Sequence, residues 1–539
     1  MLPSLVRVVV LPADDAGQPA DEAVRGALGG RFAVASAGRP RTARRAWLDT
    51  FDWRLHRAGC TLEHVTGPRP AELVLSGPGG TQLSQQASGL SWPALAGELP
   101  AGPVRDRLEA LCGIRALLPV ARAVSTVQEL RVLNSDAKTV AWIGLDRTAA
   151  RQPVATRLPA RLRVAAVRGY QPEAERVVRL LAGLPGAEAG PAASPLDAAL
   201  AAAGRRAEDY SSKLAIHLSP GMAAEAALRD VLLALLDTLE ANVPGTIRDT
   251  DTEFLHDLRV AVRRTRSALK LAGDVLPAGL RERFGAEFKW LGDLTTPTRD
   301  LDVYLLGYQD MAASLVSAKA AELTPFHAHL RAQRAAEYRK LVRGLRSARF
   351  SRLTGEWRAV LTGSPAAPAG RAQQRTGRKQ PRQPRHRGQR AAALAAGRIG
   401  RAHRRALRQG QAITPDSPPE QLHDLRKRCK ELRYLLEIFA SLYDPRDHQR
   451  VVKDLKGLQD CLGEFQDRQV QQEEIREFAT QMMGEEGVPV TALLAMGELA
   501  GQLGHSQRRA HERFAGRFRE FASPASEHRF RELIGEADK

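Results

Sequence analysis

The chain has 539 residues, of which 43% are hydrophobic and 26% charged, and its 80 Lys and Arg against 61 Asp and Glu give a formal net charge of +19. The hydrophobic content is enough for folded cores, which excludes a wholly disordered chain, and the length suggests two to four domains of about 100–200 residues. Apolar runs stay below the ~18 residues of a membrane span, and the positive balance favours a polyanionic partner.

The first part of the chain predicts an antiparallel β domain with helices, over residues 1–182. Short β-prone runs alternate with Gly- and Pro-rich turns, a pattern typical of strands. The predicted strands are Val6–Leu11, Trp47–Thr50, Thr61–Val65, Ala71–Ser76, Glu129–Leu133, Thr139–Leu145 and Arg161–Val167. The predicted helices of this region are Pro103–Leu118 and Pro172–Leu184.

An Ala-, Gly- and Pro-rich stretch then predicts an interdomain linker over residues 183–212. From residue 213 to 535 the pattern is helical almost throughout, which predicts an all-α domain of two bundles, 213–363 and 393–535, joined by a basic linker, 364–392. The clearest predicted helices are Ala223–Asn242, Thr252–Ala272, Leu280–Leu294, Leu323–Arg346, Gln421–Leu442 and Arg446–Leu462. The expected fold class is therefore multidomain α+β.

The excess positive charge is concentrated. Residues 1–200 carry a net charge of +6 and residues 366–410 carry +13 with no acidic residue, which leaves the rest of the chain neutral. The first part of the basic segment is rich in Pro, Gln, Gly and Arg without apolar periodicity, and this composition is typical of a disordered linker. Such a linker attracts polyanions without specificity.

A pentapeptide, Leu-His-Asp-Leu-Arg, occurs twice, at residues 255–259 and 422–426. The agreement continues downstream in the same alignment, where Arg263 matches Lys430 and Arg266 matches Arg433. The spacing between the two copies is far longer than the period of a solenoid of short repeats, so it predicts two copies of one helical bundle.

The repeat places cations along one helix face. Positions i, i+3, i+7, i+10 and i+14 share a face at 3.6 residues per turn. In the first copy these positions are His256, Arg259, Arg263, Arg266 and Lys270, and in the second they are His423, Arg426, Lys430, Arg433 and Glu437. Neighbouring like charges on a helix repel each other, and a turn rises ~5.4 Å. A linear anion with many charges lying along the helix would suit this stripe.

The two helices, together with residues 290–303 and 455–467, closely resemble the CHAD domain, and the resemblance extends from Leu214 to Leu533. It implies two pseudo-symmetric four-helix bundles whose basic helices face a shared cavity that binds inorganic polyphosphate. The implied polyphosphate ligands are His256, Arg259, Arg263, Arg266, Lys270, Lys289, Arg299, His423, Arg426, Lys430, Arg433 and Lys456. Glu437 takes the place of a fifth cation in the second copy. No catalytic residue, metal site or cofactor is expected in this domain.

In the N-terminal part, residues 46–55 and 58–62 resemble a stretch of the CYTH domain, a triphosphate tunnel fold that often precedes CHAD domains. The resemblance implies an eight-stranded antiparallel tunnel in which enzymes of the family hydrolyse or rearrange triphosphates with divalent metal. The ExExK motif that they need on the first strand is missing, because that strand is Val6–Leu11 and carries no carboxylate. Since metal-assisted phosphoryl transfer requires carboxylates for the ion, we expect a retained fold without catalysis.

Three alternatives remain at this stage. A nucleic-acid-binding protein could use basic helices and the Arg-rich linker to contact phosphates, although aromatic residues for base stacking are scarce. The His-Asp doublets at 256–257 and 423–424 could belong to a metal-dependent phosphohydrolase, although their helical neighbours are cations that would repel a metal. A residual triphosphatase in the N-terminal domain is the third.

The four cysteines, Cys60, Cys112, Cys429 and Cys461, form no CxxC pair. Their spacing fits a reducing compartment, and the acidic residues soon after the start disfavour a signal peptide. We therefore expect a cytoplasmic protein, associated with polyphosphate granules if the implied ligand is correct. The oligomeric state is left open by the sequence.

Overall fold

The computed structural model describes residues 6–12, 20–67, 69–189, 194–214, 216–271, 275–277, 279–363, 389–484 and 487–536. The chain divides into two compact units, Met1–Ser211 and Ser212–Lys539. The first is built on an antiparallel sheet and the second is helical, which confirms the multidomain α+β class. Within the described residues, no helix is both long and apolar enough to cross a membrane.

The first unit contains one antiparallel sheet. Its strands are β1 Val6–Leu11, β2 Ala33–Ser36, β3 Arg41–Thr50, β4 Thr61–Thr66, β5 Glu72–Ser76, β6 Gln82–Gln86, β7 Leu117–Leu133, β8 Thr139–Gln152, β9 Thr156–Arg157, β10 Ala160–Ala166 and β11 Glu188–Ala189. The strand order is β11-β1-β10-β8-β7-β3-β4-β5-β6, and β2 also pairs with β7 and β9 with β8. The helices of this unit are α1 Ala20–Leu28, α2 Arg54–Arg57, α3 Pro103–Cys112, α4 Gln171–Ala182 and α5 Pro195–Ala201.

The predicted strands coincide with observed ones to within a residue or two at most ends, but β3, β7 and β8 are longer than expected. The predicted helix Pro103–Leu118 was too long. It ends at Cys112 because Gly113 adopts a left-handed φ of 56°, and the chain then enters β7 at Leu117.

The two faces of the sheet are covered by different helices. On one face, α1 and α4 pack over Val9, Leu130 and Ile143, and α3 packs over the neighbouring Leu62 and Leu73. The register places Arg45 opposite Ala123 and Ala123 opposite Ala150, so these residues lie on the other face. Leu196 and Leu200 of α5 pack against that second face, together with Trp47 and Trp53.

The prediction of an interdomain linker over residues 183–212 was therefore wrong for much of its length. Ser194 caps α5 by accepting a hydrogen bond from the Asp197 backbone N–H, a favourable way to begin a short helix. Leu200 is fully buried, and Asp209 accepts a hydrogen bond from the Trp53 indole at 3.0 Å. Burial of the two α5 leucines fixes this stretch as part of the first unit.

The second unit repeats one arrangement of helices. The first copy contains α6 Ala224–Ile247, α7 Thr252–Leu271, α8 Leu280–Leu306, the short α9 Tyr308–Ala313, α10 Thr324–Leu345 and α11 Ala348–Thr362. The second copy contains α12 Ala391–Gln411, α13 Pro419–Ile438, α14 Pro445–Met483, α15 Val490–Phe521 and α16 Pro524–Glu536. In the alignment of the two pentapeptides, α6 and α12 begin at equivalent positions, and α7 and α13 both begin and end at equivalent positions. Apart from the short α9, each copy is described by four long helices followed by a shorter one.

The two copies share one hydrophobic core. It includes Leu232 and Leu258 of the first copy and Leu425 and Leu455 of the second. The C-terminal part of α14 and the N-terminal part of α15 lie outside this core and form a separate hydrophobic cluster with α8, α9 and α10. Since α6 contacts α12 and α7 contacts α13, the basic helices of both copies lie beside the contact between the copies.

The basic linker predicted over residues 364–392 falls largely outside the described residues. At its end, the Ala224 N–H donates to the Gln389 carbonyl at 2.9 Å and the Ala391 N–H donates to the Met222 carbonyl at 2.8 Å. These bonds attach the start of α12 to the start of α6. The predicted linker therefore extends too far, because the second copy already begins at Ala391.

Candidate functional site

The stripes of cations lie on α7 and α13, whose opposite faces enter the shared core. Leu258 and Leu425 are fully buried at equivalent positions. Along α7, His256 and Arg266 are half-buried and Arg263 is exposed. The amphipathic pattern that predicted two equivalent helices therefore gives each of them one apolar and one cationic face.

In the first copy, Arg259 is held against α8. Its guanidinium donates to the Thr296 hydroxyl at 2.5 Å and lies 4.0 Å from the Asp300 carboxylate. The Arg259 side chain is only 14% exposed. Burial lowers its pKa, as do Arg263 and Arg299, but an arginine keeps its charge at any physiological pH.

In the second copy, Arg426 takes the equivalent position and donates to Asp467 of α14 at 3.0 Å. Asp467 is the counterpart of Asp300 in the alignment of the two copies, so each copy uses an aspartate at the same place to orient the same arginine. A carboxylate that accepts from one edge of a guanidinium leaves its other N–H groups available to an anion. The nearby His423 Nδ1 is hydrogen-bonded to Gln466 Oε1.

Several of the expected ligands are engaged elsewhere. Arg299 donates to the Thr252 carbonyl at 3.1 Å and lies 3.7 Å from Glu253, which ties α8 to the first turn of α7. Lys289 forms an exposed ion pair with Asp293 at 2.7 Å. The remaining expected ligand on α14, Lys456, is exposed.

Glu437, which stands where the first copy has Lys270, connects the two basic helices. It accepts from Arg433 on its own helix at 2.7 Å and from Arg264 of α7, also at 2.7 Å. Arg433 is therefore paired within the protein, and its partner helps to hold α13 beside α7.

Lys430 of α13 is close enough to Arg263 of α7 to be influenced by its charge. Partial burial, together with the charges of Arg426 and Arg263, lowers the pKa of Lys430 to about 8 against the opposing effect of Asp467. The contributions of Arg426 and Arg263 show that Lys430 lies near other cations. The arrangement favours an anion at this point.

Helices α7, α12 and α13 line an open cavity of about 440 Å³. Seven of its lining residues are cations and one, Glu431, is acidic. The cations are Lys270, Arg398, Arg401, Arg405, Lys427, Arg428 and Lys430. Of the twelve expected ligands, Lys270 and Lys430 line this cavity.

The sequence analysis missed the arginines of α12. Arg398, Arg401 and Arg405 follow the i, i+3, i+7 spacing of one helix face, the same signal that marked α7 and α13. They were overlooked because their charge was counted with the basic segment 366–410. Within the part of the chain that the structure describes, no group of three or more His, Cys, Asp and Glu is arranged to hold a metal ion.

Comparison with known proteins gives a family for the second unit. Residues 230–476 match the family model of the CHAD domain. No curated protein matches the chain.

Among solved structures, the chain is similar to the CHAD domain from the plant Ricinus communis, which is 24% identical, with a TM-score of 0.44 over 56% of this chain and 96% of that one. PptA from Streptomyces chartreusis is 15% identical, with a TM-score of 0.40 over 55% and 99% of the two chains. A protein described as a candidate adenylate cyclase from Bacillus halodurans is 15% identical, with a TM-score of 0.24 over 35% and 94%. On the evidence of the family model, the helical unit of this protein contains a CHAD domain at residues 230–476.

Proposed function

We propose that the CHAD domain binds inorganic polyphosphate without catalysis, along the cationic faces of α7 and α13. The observation that carries the proposal is the pairing of Arg259 with Asp300 and of Arg426 with Asp467 at equivalent positions of the two copies. Polyphosphate offers a charge on every repeating unit, so it can contact successive turns of both helices. Each contact would be a charge-assisted hydrogen bond, in which the planar guanidinium matches two phosphate oxygens.

The electrostatic part of this interaction predicts a strong dependence on salt. A polyanion that is bound by several cations releases its counterions, so the logarithm of affinity falls linearly with the logarithm of salt concentration. The same dependence holds for nucleic acid, so the decisive experiment compares the two. Long-chain polyphosphate, duplex DNA and RNA are titrated at matched ionic strength, and we expect polyphosphate to bind most tightly. Equal or tighter binding of nucleic acid would contradict the proposal.

The site is tested by replacing Arg259, Arg263, Arg426 and Lys430 together with Ala. Because each lost charged contact weakens binding, we expect affinity for polyphosphate to fall by at least about a hundredfold. The matched control replaces the same number of charges on exposed surfaces elsewhere, at Lys319, Arg331, Arg339 and Arg476. Circular dichroism and thermal melting establish that both variants are folded. Similar affinities for the two folded variants would place the site elsewhere.

We also propose that the N-terminal unit does not hydrolyse triphosphates. Val8 and Val10 of β1 pair with Arg163 and Arg161 of β10, and Arg161 pairs with Asp146, so the first strand presents valines on the face that carries Asp146. Asp146 lies 3.5 Å from Arg45 and is almost fully buried. A carboxylate that is paired with an arginine is a poor ligand for a divalent ion.

On the same face, Glu63 lies 3.5 Å from Arg45, and α5 packs beside them. We expect no turnover when the full-length protein is incubated with triphosphate or ATP and Mg²⁺ or Mn²⁺. Phosphate release that depends on the metal, and that Asp146→Asn removes, would overturn this second proposal.

A further inference from the structure

We propose that the arginines of α12 form an asymmetric anchoring site for a short run of phosphates, on the side of the domain where the second copy lies. This inference rests on the proposed binding of polyphosphate and goes beyond it, because α12 is outside the two stripes. It assigns Arg398, Arg401 and Arg405 as ligands. It also predicts that the two copies do not contribute equally.

The geometry of the cavity supports an anchoring role. Arg398 and Arg405 are two turns apart on one helix face and therefore span about 10 Å. Across the cavity, α13 contributes Lys427, Arg428 and Lys430, and α7 contributes Lys270. Cations on three helices thus surround one space, whereas the stripe on α7 alone presents them along a line. Cations that converge on one concave cavity attract an anion more strongly than the same charges spread over a flat surface.

The equivalent place in the first copy lacks this charge. The counterparts of the three arginines in the alignment of the copies are Val231, Ala234 and Thr238 of α6, and Val231 is fully buried. The counterparts of Lys427 and Arg428 are Val260 and Ala261. Five cations that the second copy contributes to the cavity therefore have uncharged counterparts in the first copy.

Two further cavity residues have counterparts of the opposite charge in the other copy. Lys270 and Glu431 both line the cavity, and their counterparts are Glu437 and Arg264. The Arg264–Glu437 pair is closed at 2.7 Å, and Arg264 also donates to the Ser212 carbonyl at 3.2 Å. The place equivalent to the cavity thus holds a neutral ion pair, Arg264–Glu437, whereas the cavity itself is cationic. A bound polyphosphate chain should therefore be held most firmly at the cavity.

The test uses two double variants of the same helix. Arg401→Ala/Arg405→Ala removes two exposed cations that line the cavity, whereas Arg404→Ala/Arg408→Ala removes two exposed cations of α12 that do not line it. Both variants change the net charge equally. Tripolyphosphate, which is short enough to depend on the cavity alone, and long-chain polyphosphate are titrated by calorimetry at two salt concentrations.

We expect the cavity variant to lose affinity for tripolyphosphate by about tenfold or more, and the control variant by less than about threefold. Long-chain polyphosphate should lose less than tripolyphosphate, because the stripes on α7 and α13 still hold it. The variant Arg401→Lys/Arg405→Lys, which keeps the charge, should recover part of the lost affinity.

Equal losses in the two alanine variants would overturn the inference, since they would reflect net charge alone. Unchanged affinity in the cavity variant would also overturn it. If the fourfold variant of the stripes still loses binding in that case, the proposed function stands and only the role of α12 fails. If the unmodified protein binds neither phosphate ligand, the proposed function itself fails.

Discussion

Lys430 belongs to the stripe on α13 and also lines the cavity, and its proton should report on ligand binding. Burial and the neighbouring arginines lower its pKa to about 8, so the free protein loses this charge as pH rises through that value. A bound polyanion stabilises the protonated form and raises the pKa. Binding at about pH 9 should therefore take up protons, whereas binding at about pH 6 should take up none at this residue. Calorimetry in buffers of different ionisation enthalpy measures the uptake.

The conservative variant Lys430→Arg separates this effect from simple charge. Because arginine stays protonated at both pH values, the variant should bind polyphosphate at high pH without proton uptake at this position. Lys340→Arg serves as the control, since Lys340 is an exposed residue outside the cavity that forms an ion pair with Glu337 at 2.6 Å, and it should leave the uptake unchanged. Identical proton uptake by the Lys430→Arg variant and the unmodified protein would show that another group titrates.

Among the secondary-structure elements, the sequence predicted helices well where a strong amphipathic period occurred twice. Helices α7 and α13 each combine leucines on one face with cations on another, and the duplication made both signals more specific. The same information could not show which cations are available to a ligand. Arg299 and Arg433 share the stripe or its surroundings, yet the first ties α8 to α7 and the second is paired with Glu437. The tertiary fold determines these partners, and the spacing of residues along the sequence does not reveal them.

Helices α5 and α12 were not delimited from the sequence, although α12 falls almost entirely within the predicted helical bundle 393–535. The buried face of α12 consists largely of small residues such as Ala395, Ala402 and Ala406, but its arginine spacing was visible in the sequence. Helix α5 is short, and its two leucines lie within an Ala- and Gly-rich stretch. A neighbouring surface supplies most of the stabilisation of α5, so this helix is evident only when that surface is known.

For the whole molecule, the location of the charge matters more than the total of +19. Of the thirteen cations in residues 366–410, five lie on α12 and eight precede it. The three α12 arginines that line the cavity lie outside the linker predicted over residues 364–392, although their charge belongs to the same basic segment. A second unit that is close to neutral elsewhere can still concentrate seven cations around one space.

This distribution gives a prediction for the linker itself. Replacing the seven Lys and Arg residues between positions 371 and 387 with Gln lowers the formal net charge by seven, more than three times the change in the Arg401→Ala/Arg405→Ala variant. The composition of this segment predicts charges that are spread along the chain. Such charges contribute mainly through long-range attraction, which salt screens within a Debye length of about 8 Å at physiological ionic strength. We therefore expect the linker variant to bind long-chain polyphosphate more slowly at low salt and to keep its affinity for tripolyphosphate.

Stopped-flow association and calorimetry with both ligands measure these two effects. The cavity variant should show the opposite pattern, because loss of converging contacts speeds dissociation more than it slows association. If the linker variant lost more affinity for tripolyphosphate than the cavity variant, binding would follow total charge, and the importance of the three helices around the cavity would be refuted. If instead the two variants differ as expected, two residues of α12 contribute more to the affinity for tripolyphosphate than seven charges of the linker. The reason is that contacts within the cavity still hold the ligand when salt screens the long-range attraction.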